Sequence, residues 1–311
     1  MPYFAGKMQF MAHEHHHHHH SAADVVSLKG VYTVSIILNL AFVLIEAGVG
    51  FWGNSLGLLS DAGHNLSDVF SLLLAMIALR LAATHSTKKL TYGYRKGSVL
   101  ISLLNAIILL VAVGAILVES IHKFREPAVV NGDAVAWTAG AGILVNGFTA
   151  FLLMRHRKSD LNARGAFLHM AADTLVSVGV LISGVVISFT GWNFIDPIIG
   201  IVVALIILAG TWELLSESLR LSIDAVPEGI DAEEVVTHIK GVPGVADVHH
   251  VHIWPISTTE TALTAHAVIA DGAEPCTVVA GIKEELREHG ISHATIETER
   301  PGFSCADHDC C

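Results

Sequence analysis

The sequence predicts a membrane protein in two parts: a six-helix, all-α transmembrane domain followed by a small cytosolic α+β domain. Three observations predict it. Hydrophobic residues make up 52% of the 311 and charged residues 15%, against about 25% charged in an ordinary soluble domain. The apolar excess is gathered into six runs of roughly 20 residues or more, each long enough to cross ~30 Å of hydrocarbon. Charge and pattern also change near residue 220. The residues up to 220 carry 14 Lys and Arg against 13 Asp and Glu; those from 221 onward carry 4 against 16.

Residues 1–28 form a polar, His-rich tail expected in the cytosol, with His13-Glu14 and the run His15 through His20. The match of His13-Glu14-x-x-His17 to a zinc-protease pattern carries no weight inside a histidine tract. The run reads either as an expression tag or as a native disordered tail that collects metal. This end lacks the charged-then-apolar-then-small pattern of a cleavable signal. The transmembrane domain, 29–220, is expected to hold spans at about 31–52, 58–83, 98–121, 134–154, 165–190 and 195–215. Pro197 suits the first turn of the sixth span, and Trp192 and Phe194 before it suit the membrane interface. Loop charges set the orientation. Arg80, Lys88, Lys89, Arg95 and Lys96 flank the 2–3 connection, and Arg155, Arg157, Lys158 and Arg164 the 4–5 connection. Only Lys123 and Arg125 lie on the other side. That bias puts both termini in the cytoplasm.

The cytosolic domain, 221–300, reads as α-β-β-α-β. A helix is expected over 231–240 with Asp231 as its cap, strands over 245–254 and 261–270, a helix over 274–289 stopped by Gly290, and a last strand over 291–298. Three strands leave open edges, so dimerisation is expected. The acidic balance argues against nucleic acid. It is compatible with attracting cations, and equally with a solvated acidic surface. A Cys/His tail, 301–311, closes the chain.

The chemistry centres on a repeated spacing. His64 and Asp68 in the second span, and His169 and Asp173 in the fifth, are each i and i+4, one helical turn apart on one face. Intramembrane imidazoles and carboxylates are costly unless compensated. One His–Asp pair alone reads as a packing device. Two copies on two helices make an N2O2 shell suited to tetrahedral zinc. Asp61 is either a fifth ligand or a helix-start or outer carboxylate. Asn39, Glu46, Asn105 and Asn146 either line a path or join helices by hydrogen bonds. In the cytosolic domain His249, His250, His252, His266 and His293 fall on strands, and Glu297 and Glu299 alternate on the last one. Cys305, His308, Cys310 and Cys311 on a flexible end read either as soft donors, with thiols that a reducing cytosol leaves available to metal, or as an oxidation-prone terminus.

With these residues in view, the chain resembles the cation diffusion facilitator family of zinc transporters, in particular its bacterial, zinc-exporting members. The likeness spans about residues 28–300. It is carried by 55–68 (SLGLLSDAGHNLSD), Thr91-Tyr92-Gly93-Tyr94-Arg95, His169-x-x-x-Asp173, Asp196-Pro197-Ile198, 241–245 (GVPGV) and 249–254 (HHVHIW). The resemblance implies a homodimer with six helices per protomer and a metallochaperone-like cytosolic domain. It implies Zn²⁺ export by proton antiport, across the bacterial inner membrane. His64, Asp68, His169 and Asp173 match the transport-site ligands. His249, His266, Glu297 and Glu299 match cytosolic metal positions, and Lys96 and Asp224 a charge lock between the two parts. Thr87, Leu90 and Tyr94 stand where some members carry an extra metal site, so that site is expected to be absent. Ser98 and His250 replace a usual glutamate and a usual aspartate.

The expected function is therefore zinc efflux from the cytosol by alternating access about a His2Asp2 site, with zinc competing against protons for the same atoms. The same shell accepts Cd²⁺ or Co²⁺. The expected partners are a second copy, membrane lipid, divalent metal ions and protons. An intramembrane zinc hydrolase would need an open coordination position and a general base, and four protein ligands argue against it. The remaining alternative is a membrane-bound zinc sensor or buffer without transport.

Overall fold

The computed structural model describes residues 22–52, 56–125, 132–192 and 194–302. Six long helices come first: α1 (Ala22–Trp52), α2 (Leu56–Ala82), α3 (Gly97–Arg125), α4 (Gly132–Met154), α5 (Leu161–Thr190) and α6 (Ile195–Ser222). Among the described residues four of them are long and apolar enough to cross a membrane, over Ser27–Val49, Asn65–Ala82, Gly97–His122 and Pro197–Ser222. In α4 the apolar stretch Gly140–Met154 is shorter. The helices run past the hydrocarbon lengths the sequence sets. α1 starts nine residues before Val31, and α6 runs on from 215 to Ser222. The α6 extension is polar: Glu217 on it pairs at 2.9 Å with Arg164, near the start of α5, and Glu213 one turn earlier pairs with the same guanidinium at 2.5 Å.

Large apolar side chains such as Ile37, Leu44, Ile45, Val111 and Val118 point outward. This is the inverse of a soluble surface and suits contact with lipid tails. Inside, the helices meet over small clusters. Tyr32, Leu72, Leu153 and Met170 join α1, α2, α4 and α5. Val99, Leu109, Leu161 and Leu214 join α3, α5 and α6. Small residues permit close approach, as expected where lipid leaves no hydrophobic drive between helices. A Cβ on Gly165 of α5 would lie 2.5 Å from Nδ2 of Asn105 on α3.

The second domain consists of α7 (Ala232–Gly241), β1 (Val245–Pro255), β2 (Thr261–Ile269), α8 (Pro275–Glu288) and β3 (Ile291–Glu299). The order is the expected α-β-β-α-β. Asp231 caps α7 by accepting from Glu233 and Glu234 main-chain N–H groups. Gly290 ends the last helix segment at φ 79°. The sheet order is β1-β2-β3, antiparallel then parallel. Val235, Ile239, Val278, Ile282 and Leu286 of the helices bury Leu263, Ala265, Ala267 and Ile269 of β2. With period-two alternation, Thr264, His266 and Val268 therefore face away from the helix layer.

The two domains join at the β1–β2 turn. Lys96, at the head of α3, donates to the carbonyls of Leu221 (2.8 Å) and Pro255 (3.2 Å) and pairs with Asp224. Arg95 pairs with Glu260. Thr258 donates its hydroxyl to Asp160 Oδ2 (3.0 Å) and its N–H to Ser98 Oγ (3.2 Å). Asp160 also caps α5, accepting from Ala163 N–H at 2.8 Å. Ser98, the departure noted in the sequence, thus bonds directly to the β1–β2 turn.

Candidate metal centre

The helix period puts Asp68 on α2 and both His169 and Asp173 on α5 toward a common point. His169 Nε2 lies 3.0 Å from Asp68 Oδ1 and 3.7 Å from Asp173 Oδ2. One donor atom from each of the three falls within 4.8 Å of the others. Asp68 is fully buried and His169 nearly so. A carboxylate with no water contact between apolar helices is stable only beside a cation or a proton donor, and the imidazole supplies one such contact. Asn146 of α4 donates to Asp68 Oδ2 at 3.4 Å. His64 lies on α2 one turn before Asp68; its side chain, like that of Asp61, lies outside the described residues.

The other intramembrane polar groups join helices. Asn39 of α1 donates to Thr149 of α4 at 2.9 Å. Asn65 of α2 donates to Glu46 of α1 at 2.7 Å. Ser71 of α2 bonds Asn105 of α3 at 3.2 Å. Of the two roles the sequence leaves open for Asn39, Glu46, Asn105 and Asn146, each makes an interhelical hydrogen bond, and Asn146 makes its bond to the cluster itself.

A second cluster lies on the sheet face opposite the helix layer. His249 pairs in register with His266, and His266 with Glu297. His266 Nδ1 lies 2.9 Å from Glu299 Oε1, and His249 Nε2 3.4 Å from Glu299 Oε2. Glu299 is buried, and Glu297 is exposed at 3.5 Å from His266 Nε2. The structure adds a member: His250 sits with its ring 5.0 Å from that of His266, and His249, His250 and His266 bring donors within 4.8 Å of one another. Strict alternation would turn His250 to the other face. It does not, because the register slips between His249 and His252 and His250 takes φ 50°. An irregularity of this kind re-aims a side chain, and a left-handed non-glycine residue costs ~1–3 kcal/mol. The sequence signal was the adjacent His249-His250 pair itself. His252 and His293 stand apart from the cluster: His252 is exposed and His293 packs edge-on against Tyr92, ring centroids 5.5 Å apart. Cys305, Cys310 and Cys311, like the histidine run 15–20, lie outside the described residues.

Both parts match known families. Residues 32–221 match the cation efflux transmembrane domain and residues 227–301 the cation efflux protein cytoplasmic domain. The chain is 36% identical over 276 residues to the "Cadmium, cobalt and zinc/H(+)-K(+) antiporter" of Bacillus subtilis, covering 87% of this chain and 89% of that one. It is 35% identical over 273 residues to "Zinc transporter ZitB" of Escherichia coli, covering 86% of each. It is 32% identical over 276 residues to "Metal cation efflux system protein CzcD" of Cupriavidus metallidurans, covering 88% and 87%. Apolar spanning helices around a buried acid–imidazole cluster define an integral membrane protein of the transporter class. The chain belongs to the cation efflux family, the cation diffusion facilitators.

Proposed function

We propose that this protein exports Zn²⁺ from the cytosol in exchange for protons. One observation carries the reading: Asp68 and His169, both buried and on different helices, meet at 3.0 Å with Asp173 beside them. His64, by its place on α2, is the fourth ligand of a His2Asp2 site. All six long helices span the bacterial inner membrane and both termini are cytoplasmic. The transport domain covers 29–220 and the metal-sensing dimerisation domain 221–300. Cd²⁺ and Co²⁺, named with zinc for the Bacillus subtilis relative, suit the same donors.

The mechanism follows from shared atoms. The nitrogen and oxygens that face one another at this site bind a proton or a metal, not both. On the cytosolic side, where protons are fewer, the ionised carboxylates and neutral imidazoles take zinc. When α2 and α5 shift relative to their neighbours, the site faces the far side. Imidazole titrates near pH 6.5, so a modest acid excess there displaces the ion, and the protonated site returns. Two copies associate through the cytosolic domains. The sheet-face residues His249, His266, Glu297 and Glu299, with His250 and with Cys305, Cys310 and Cys311 of the tail, bind cytosolic zinc and tighten that dimer.

Zinc flux into proteoliposomes under an imposed pH gradient tests this. The wild type moves zinc, Asp173→Ala does not, and removal of residues 1–20 leaves flux intact. A folded, correctly inserted wild type without flux would instead favour a zinc sensor.

A further inference from the structure

The helix layer of the cytosolic domain carries a third set of donors, on the opposite side of the sheet from His249 and His266. His238 lies in the last turn of α7. Glu285 lies on α8, and His289 caps its end. The i, i+4 spacing stacks Glu285 and His289 on one helix face, and the packing of α7 on α8 brings His238 to them. His238 Nδ1 is 3.0 Å and His289 Nδ1 3.8 Å from the same oxygen, Glu285 Oε1. The two imidazole centroids are only 3.9 Å apart. One donor atom from each of the three falls within 4.8 Å of the other two. His289 Nδ1 also lies 2.9 Å from the Glu285 carbonyl, a contact that orients the ring.

The surroundings favour a cation. Glu234 brings an oxygen to 3.6 Å from His238 Nε2. A groove of about 430 Å³ runs alongside, with Glu284 and Glu288 on its wall. All three donor side chains are about one-third exposed, so an ion from solution reaches them. Two imidazoles this close gain little from each other when neutral and repel when charged. A divalent ion between them satisfies both and the carboxylate together.

We propose that His238, Glu285 and His289 form a divalent transition-metal site, of zinc class, that ties α7 to α8. Imidazole and carboxylate donors suit zinc and also accept Co²⁺. Three protein ligands at an open surface leave room for water, so the ion is exchangeable. The site is independent of transport and of the sheet-face cluster.

Residue-resolved carbethoxylation of histidines, read by mass spectrometry on the full-length protein in detergent with and without zinc chloride, tests it. Zinc should slow modification of His238 and His289 severalfold, and His289→Ala should abolish the protection of His238. Should His289→Ala unfold the domain, Glu285→Gln keeps both rings and should shift the protecting zinc concentration upward. Equal reactivity of both histidines with and without zinc, or protection of His238 that survives both variants unchanged, overturns the site.

Discussion

The cluster between α2 and α5 and the cluster on the sheet use the same donor types on different mounts. Asp68 sits on α2 and His169 and Asp173 on α5, two helices held to each other by side-chain contacts. Asp68 can therefore be parted from the other two without breaking a main-chain hydrogen bond. His249, His266, Glu297 and Glu299 sit on three strands locked in register. Their spacing is fixed by the ladder, so these donors cannot be parted without breaking it. A mount that moves suits carrying an ion. A mount that does not suits holding one and reporting it.

The comparison breaks most visibly at Asp68. Asp68→Asn keeps the size and removes the buried charge on which the proposed transport site depends. Proteoliposome zinc flux should fall to the level of empty vesicles, with zinc binding by the second domain unchanged. Asn146→Ala removes a donor to Asp68 and leaves the proposed ligands in place. It should lower zinc affinity for transport about 10–100-fold, as loss of an outer partner of a ligand does, read as the zinc concentration giving half-maximal flux. His266→Ala removes the ring shared by His249, His250 and Glu299. Equilibrium dialysis should find weaker zinc binding by the second domain, while flux at saturating zinc persists; flux lost outright would mean that the two clusters act as one. The smallest effect belongs to the exposed pair Lys240–Asp247, at 2.8 Å between α7 and β1. The Lys240 ammonium, then the Val248 N–H, hold the Asp247 carboxyl below its ordinary value. A depressed carboxyl stabilises the fold above the unfolded pKa and stops doing so as pH falls through the folded one. Lys240→Ala should therefore cost roughly 0.2–1 kcal/mol at neutral pH, seen in thermal unfolding, and the difference should vanish once acid protonates Asp247.

Legibility in the sequence followed the regularity of the backbone. His-x-x-x-Asp reads directly because a helix repeats faithfully, and Asp68, His169 and Asp173 do converge. The approach of Asn146 to Asp68 depends on how α4 is rotated, which no spacing within α4 reveals. His250 was legible as a strand histidine next to His249 and as a departure from a family pattern, but alternation assigns it to the wrong face. Its φ of 50° is a local exception that no periodicity predicts. His238, Glu285 and His289 are brought together by the packing of two helices forty-odd residues apart in sequence, and neither helix alone announces a site. The polar extension of α6 past 215 was hidden by a rule of hydrocarbon length, which says where a span may end but not where its helix must.

The β1–β2 turn sets a condition for anyone who would exchange the second domain for that of a relative. Its fastening is divided between the parts: Thr258 and Glu260 come with the sheet, while Ser98, Asp160 and Arg95 stay with the helices. A graft chosen only by a clean cut after Ser222 would bring a foreign turn to hydroxyl and carboxylate partners made for this one. Such chimaeras should be drawn as matched sets of residues rather than as segments.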